Sequence, residues 1–407
     1  MKIRSITCFL DPSYPLKDQK LKVAGDFLKV AQPAFIEAGY EVQTARMAIV
    51  PFPRLLTPLY EDALPRLAQK LEAAAAELGY AYVSLGPALP ELLQSYGLIP
   101  EALAATQNAF FSGLMTTPYG KVSLKAIHQC GEVIQRASSI SPDGFANLRF
   151  AALANVPAGS PFFPAAYHQA EAPSFALATE AADLAVVAFS QAASLEEARR
   201  NLVTSMEAHA RALTGIARQV EKHAGVKFGG IDFSLAPFPS EKLSIGTAME
   251  RLGVPALGVH GSLAAAAILA DTMDQADFVR AGFSGLFLPV LEDATLARRA
   301  AEGDLNIMDL LLYSAVCGTG LDTIPLPGDT SSEQLSAVLL DLACLSLRLA
   351  KPLTARLMPI PGKKAGDPTG FDFAYFANSR VLSLHAVPLE RFLGGDESFA
   401  LHKRSSQ

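Results

Sequence analysis

Short apolar runs alternate with amphipathic stretches from the first residues onward. Residues 3–9 and 40–45 read as strands around a helix at 21–38. Residues 61–78 carry Leu64, Leu67, Leu71, Ala74, Ala75 and Leu78 at helical spacing, and a β-type run at 80–85 stops at Gly86-Pro87. The same patterning predicts strands at 108–114, 149–156, 184–189, 228–235, 286–291 and 353–359. It predicts helices at 124–137, Leu195–Ala224, 244–252, 262–276, Ala294–Glu302, 306–315 and 331–349.

Repeated β-then-α order points to an α/β fold, with a parallel sheet or barrel inside and helices outside. No fixed-period repeat or low-complexity linker divides the chain. The expectation is one large domain over residues 1–393, with a flexible tail at 394–407. Gly362-Lys-Lys-Ala-Gly366-Asp-Pro368 reads as an exposed hairpin or loop.

Composition sharpens this picture. Hydrophobic residues make up 50% of the 407 and charged ones 18%, as expected for strands buried on both faces. A net charge of -6 without a Lys/Arg cluster argues against a nucleic-acid partner. No stretch reaches the ~20 apolar residues of a membrane span, and the amino terminus has no secretory pattern. These observations predict a soluble, cytoplasmic protein; assembly into a homo-oligomer is compatible with the same pattern. Cys8, Cys130, Cys317 and Cys344 lack the spacing of a disulfide framework or zinc site.

Four apolar runs between 226 and 329 end on reactive or backbone-special residues, as strands do where an α/β scaffold binds ligands. The first gives Asp232 and Ser234 before Pro237 and Pro239. Alternation puts the two polar side chains on one face, either as substrate contacts or as acceptors for loop N–H groups. Gly258-Val-His260-Gly261-Ser262 opens an apolar helix. There Ser262 can act as the cap, the loop N–H groups can meet an anion, and His260 is either a catalyst or a turn residue.

The third run begins at Ser284-Gly285 and ends at Glu292-Asp293, a carboxylate pair suited to acid catalysis and better suited to capping the next helix. The fourth gives Cys317-Gly-Thr-Gly320-Leu-Asp322. Its thiol is a nucleophile, a thiyl carrier or a buried helix cap, and a reactive thiol needs a neighbour such as His260. Asn155 ends a strand, and Pro161-Phe-Phe-Pro164 leads to Tyr167-His168, an aromatic segment able to wall a pocket. Phosphate-loop, dinucleotide, zinc-protease and nucleophile-elbow motifs are absent, and no motif assigns a cofactor or a metal.

Taken in order, these motifs resemble the family catalogued as domain of unknown function seven-eleven, over most of residues 225–361. The resemblance rests on Asp232-x-Ser234-Leu-Ala-Pro237-x-Pro239, Gly258-x-His260-Gly261, Ser284-Gly285-x-Phe-x-Pro289-x-x-Glu292-Asp293 and Cys317-x-x-Gly320-Leu-Asp322. It implies a large ten-stranded α/β barrel like that of pyruvate formate-lyase, with Cys317 on a loop inside. The segment Val156-Pro-Ala-Gly-Ser-Pro161-Phe162 lacks the acidic residues of other members, which implies a lost ligand contact.

Glycyl-radical chemistry does not follow from the resemblance. The words Arg380-Val381-Leu382-Ser383-Leu384 carry serine where such enzymes carry the radical glycine. The leading expectation is an enzyme acting on a small polar metabolite, with Cys317 as nucleophile or acid/base. His260 would tune it, and Asp232, Ser234, Gly261, Ser262, Ser284, Asn155, His168 and Asp322 would hold or orient substrate. The alternatives are a non-catalytic small-ligand sensor and a metal-dependent enzyme using His260 with Asp232 or Glu292.

Overall fold

The computed structural model describes residues 1–60, 62–316 and 318–403. The chain opens with β1 (Lys2–Leu10), α1 (Asp18–Glu37), β2 (Val42–Ile49), α2 (Phe52–Leu55), α3 (Ala63–Glu77), β3 (Tyr82–Ala88) and α4 (Ile99–Ala104). Next come β4 (Ala109–Leu114), β5 (Lys121–Ser123), α5 (Leu124–Ser138), β6 (Phe150–Ala154), β7 (Ser174–Glu180), α6 (Ala182–Gln191), α7 (Leu195–Ala224) and β8 (Lys227–Ala236). The last third holds α8 (Ile245–Arg251), α9 (Ser262–Asp274), α10 (Ala294–Glu302), α11 (Ile307–Val316), β9 (Gly320–Pro327), α12 (Ser332–Leu349), β10 (Leu353–Ile360) and β11 (Ser398–Ala400).

Nine strands form one mixed, mostly parallel sheet in the order β8-β7-β1-β2-β3-β4-β6-β10-β9. β1, β2, β3, β4 and β6 run parallel to one another. The pairs β7–β8 and β9–β10 are each parallel internally and run opposite to that central block. Both edges of the sheet touch one segment: Ile231 of β8 bridges Arg280, and Pro289 bridges Asp322 of β9, both in the parallel sense.

The two faces of the sheet have different chemistry. One meets the helices through a continuous apolar core that includes Ile3, Ile6 and Cys8 of β1, Phe27 and Phe35 of α1, and Met206 and Leu213 of α7. The other carries Ser5, Thr7 and Ser84, and the chain from 159 to 168 lies against it. Thr7 Oγ1 donates to the Pro161 carbonyl at 3.5 Å and Ser84 Oγ to the Ala166 carbonyl at 2.7 Å. Strand alternation, shifted by one residue between Ile3 and Ser5, separates the two environments.

Helix ends follow the sequence closely. Ser194 caps α7, Gly225 ends it at φ 70°, and Ser331 with Gln334 forms a capping box on α12. The predicted strand at 184–189 is part of α6, whose buried Ala182, Ala185, Ala188 and Phe189 recur at helical spacing. An apolar run that short suits either element. β9 escaped prediction because Pro325 and Pro327 argue against a strand, yet at the sheet edge proline is tolerated. β7, with its Phe-Ala-Leu-Ala-Thr centre, was also not predicted, and the run at 286–291 has only its Pro289 bridge. In the segment expected to fray from Gly394, β11 pairs with β5.

Candidate functional site

A cavity of about 80 Å³ opens between the polar face and the segments covering it. It lies at the amino-terminal ends of β2, β3 and β4, where Thr44, Arg46, Tyr82 and Phe110 reach it. Pro161, Phe162 and Phe163 cover one side, and Phe373 and Tyr375 another. Three arginines enter this aromatic enclosure: Arg4 from β1, Arg46 from β2 and Arg356 from β10.

Two β-bulges place this charge. Between the pairs Ile3↔Thr179 and Ser5↔Ala178, Arg4 is the extra residue in β1. Between Ala355↔Leu321 and Leu357↔Ile324, the single Arg356 faces the two residues Asp322 and Thr323, with Thr323 at φ 46°. A bulge re-aims a side chain that regular alternation would send to the other face. Asp322 accepts two hydrogen bonds from Arg356, one to Nε and one to Nη2 at 2.7 Å. Arg356 Nη2 also donates to Glu292 at 2.7 Å, and the other Glu292 oxygen pairs with Arg4 Nη2.

Arg4 and Arg356 are therefore neutralised by two buried carboxylates. Burial pushes the Glu292 carboxyl up, but Arg4 and Arg356 outweigh it and hold it below its usual range. Burial likewise weakens the Arg356 cation, yet Asp322 and Glu292 raise its pKa above the ordinary value. Arg46 differs. Its Nε donates to Thr44 Oγ1 at 2.9 Å, and its guanidinium lies 5.3 Å from the Phe163 ring centroid and 5.7 Å from that of Tyr82. Among the described residues its two terminal nitrogens have no acceptor. Burial, and then the nearby Arg4, lower its pKa to about 10, so it remains a cation at neutral pH.

A second polar group borders the cavity. Gln43 lines it and donates Nε2 to Glu180 at 2.7 Å. Glu180 is 3% exposed, and its other oxygen has no partner among the described residues. Burial raises its pKa against the opposing pull of Gln43, Arg4 and Lys2.

The residues singled out in the sequence fall into separate places. Asp322 belongs to the arginine network. Cys317 lies outside the described residues. Asp232, Ser234 and Ser284 come together in a knot that joins β8 to the loop following α9. Asp232 accepts from Phe283 N at 3.0 Å, Ser284 N at 2.9 Å, Ser234 N at 3.2 Å and Ser234 Oγ at 2.5 Å, and its pKa is raised by burial. Ser284 Oγ donates to the chain at Ile231 and Ala281, so the knot binds its own backbone.

His260 is exposed and does not line the cavity. Gly261 caps α9 at φ 105°, and Ser262 Oγ accepts from Gly258 N at 3.0 Å, closing the loop. A Cβ on Gly258 would fall 2.0 Å from the Asp304 carbonyl oxygen, which accounts for glycine there. Asn155, at φ 54°, lines a different cavity of about 380 Å³ with Thr116 and Tyr167. His168 is buried beside Asp11, its Nε2 has no partner among the described residues, and burial lowers its pKa. The Glu292-Asp293 pair divides its work. Asp293 caps α10 through Thr295 N and Leu296 N, while Glu292 faces the arginines. Among the described residues no three His, Cys, Asp or Glu side chains gather as a metal-binding group.

Sequence reasoning missed Arg4, Arg46, Arg356, Gln43 and Glu180. For the three arginines the signal was a lone cation inside a strand run, a charge that burial makes costly without a partner or a purpose.

Fold and cavity together define an α/β protein whose interior is charged and partly uncompensated. The chain belongs to the family described as Uncharacterised ACR (DUF711), whose match covers residues 1–376 and so every cavity residue named above. It is 30% identical over 362 residues to a UPF0210 protein of Acetivibrio thermocellus, covering 85% of this chain and 80% of that one. Identity is 33% over 361 residues to a UPF0210 protein of Pyrobaculum aerophilum, covering 84% and 79%. It is 28% over 396 residues to that of Halothermothrix orenii, covering 93% and 87%. Among the described residues no helix is long and apolar enough to cross a membrane.

Proposed function

We propose that this protein is a ten-stranded α/β barrel whose interior binds a small anionic metabolite. Five parallel strands form one half of the barrel in this reading. The other half is β10, β9, the segment 280–290, β8 and β7, all in the opposite direction, and the Arg280 and Pro289 bridges support that closure. The observation that carries the ligand reading is Arg46, a cation at neutral pH whose terminal nitrogens meet no acceptor among the described residues while its two neighbouring arginines are ion-paired. A planar guanidinium between aromatic rings is suited to a carboxylate or phosphate oxygen pair.

A thermal-shift comparison tests it, using small carboxylates and inorganic phosphate with the wild type and Arg46→Met. At least one anion should raise the wild-type melting temperature and leave the variant unmoved. An equal response of both proteins, or no response to any anion, contradicts the reading.

One observation favours a catalytic form of the same reading. Gly285 and Gly318 meet backbone to backbone, a Cβ on Gly285 falling 2.6 Å from Gly318 Cα, and Phe287 of that loop meets Phe162 of the cavity wall edge to face, with ring centroids 5.2 Å apart. In this form Cys317 is the nucleophile or acid/base. Alkylation of the native protein read by mass spectrometry tests it, and an unreactive Cys317 counts against it. Cys8, Cys130 and Cys344 are free thiols, which supports a reducing, cytoplasmic setting.

A further inference from the structure

The cavity has two chemically different poles, and the second one narrows the ligand class. This step rests on the anion reading of Arg46. Gln43 gives an amide hydrogen to Glu180, so its carbonyl oxygen is left to accept, and among the described residues it has no donor. Glu180 has a second carboxyl oxygen that is buried and, among the described residues, unpartnered. Its strand is already in the wall, because Ala178, two residues earlier and on the same face, lines the cavity. The wall thus offers an unmet acceptor at Gln43, with Glu180 hydrogen-bonded behind it, and unmet donors at Arg46.

We infer that the ligand carries a hydrogen-bond-donating end, an ammonium or a hydroxyl, opposite its anionic group, and that Glu180 with Gln43 receives that end. Charge agrees with this. Arg4, Arg46 and Arg356 against Glu292 and Asp322 leave one positive charge, and an ionised Glu180 balances it. A site of zero net charge with separated poles matches a small amino acid zwitterion, and next a hydroxy acid. Lys2, Arg4 and Glu41 are the other charged groups that act on Glu180, and Lys2 is already paired with Glu41.

Calorimetric titration with glycine, glycolate and propionate separates the possibilities, because the three carboxylates have the same number of heavy atoms and differ only in the far group. The wild type should bind glycine at least about tenfold more tightly than propionate, with glycolate between them. Glu180→Gln should bring the glycine-to-propionate ratio down to about one, and Gln43→Met, which keeps the carboxylate, should lower it as well. If propionate binds as tightly as glycine, or if the ratio survives both substitutions, the inference is overturned while the anion reading stands. If none of the three binds at millimolar concentration, the inference is overturned, and the phosphate arm of the thermal-shift comparison decides the anion reading by itself.

Discussion

The Asp232 knot and the Arg46 cavity are both built from polar side chains gathered at one sheet, and they differ in what each leaves over. In the knot every strong acceptor on Asp232 is met by the protein's own Ser234, Phe283 and Ser284. Among the described residues, Arg46 in the cavity retains two nitrogens without acceptors, and Glu180, behind Gln43 of the wall, an oxygen without a donor. The conspicuous motif Asp232-x-Ser234 therefore fixes a chain crossing, whereas an inconspicuous arginine in a strand faces the empty volume. Chemical capability follows the groups left without protein partners, not the residue types that stand out in a sequence.

The comparison breaks most visibly at Arg356. Arg356→Met leaves Glu292 and Asp322 buried with only Arg4 between them, and should cost about 3–5 kcal/mol in urea denaturation. Arg46→Met, a few ångströms of side chain away in the same cavity, should change stability by less than about 1 kcal/mol because it breaks no ion pair. Equal losses in the two variants would mean that Arg46 is structural.

Asp232→Ala comes next. It orphans the Phe283 and Ser284 N–H groups, with an expected loss of about 2–4 kcal/mol and no change in ligand selectivity. A folded, stable Asp232→Ala protein that no longer responds to anions would move the site to the knot.

The smallest effect is a pH dependence at Glu180. Burial raises its pKa above the ordinary 4.5, so its contribution to stability is fully present below that value and is lost as pH rises through the folded-state pKa. Glu180→Gln removes this loss. The variant should melt about 1–2 °C above the wild type at neutral pH, and the difference should vanish at about pH 4. A difference that persists unchanged into acid would show that Glu180 is not the titrating group.

Much of the architecture was legible because helices on the outer face repeat at 3.6 residues and end on strong caps, as at Leu195–Ala224 and Ala294–Glu302. Edge strands were harder. β9 carries prolines that argue against a strand, and pairing partners lie far apart in sequence. Of the site, the aromatic run Pro161-Phe-Phe and Asp322 were visible, since both stand beside obvious turn residues. Arg4 and Asp322 reach one another's network through bulges, a single-residue slip that alternation cannot foresee. Gln43 and Glu180 meet across 137 positions of chain, and only the sheet order brings them together.

The most direct measurement is a crystal structure of the wild type grown with saturating glycine. The account predicts the carboxylate on the Arg46 guanidinium and the ammonium toward Gln43 and Glu180. Glycine bound instead at the Asp232 knot or the Gly258–Ser262 loop, or a cavity filled only by protein side chains, would contradict it.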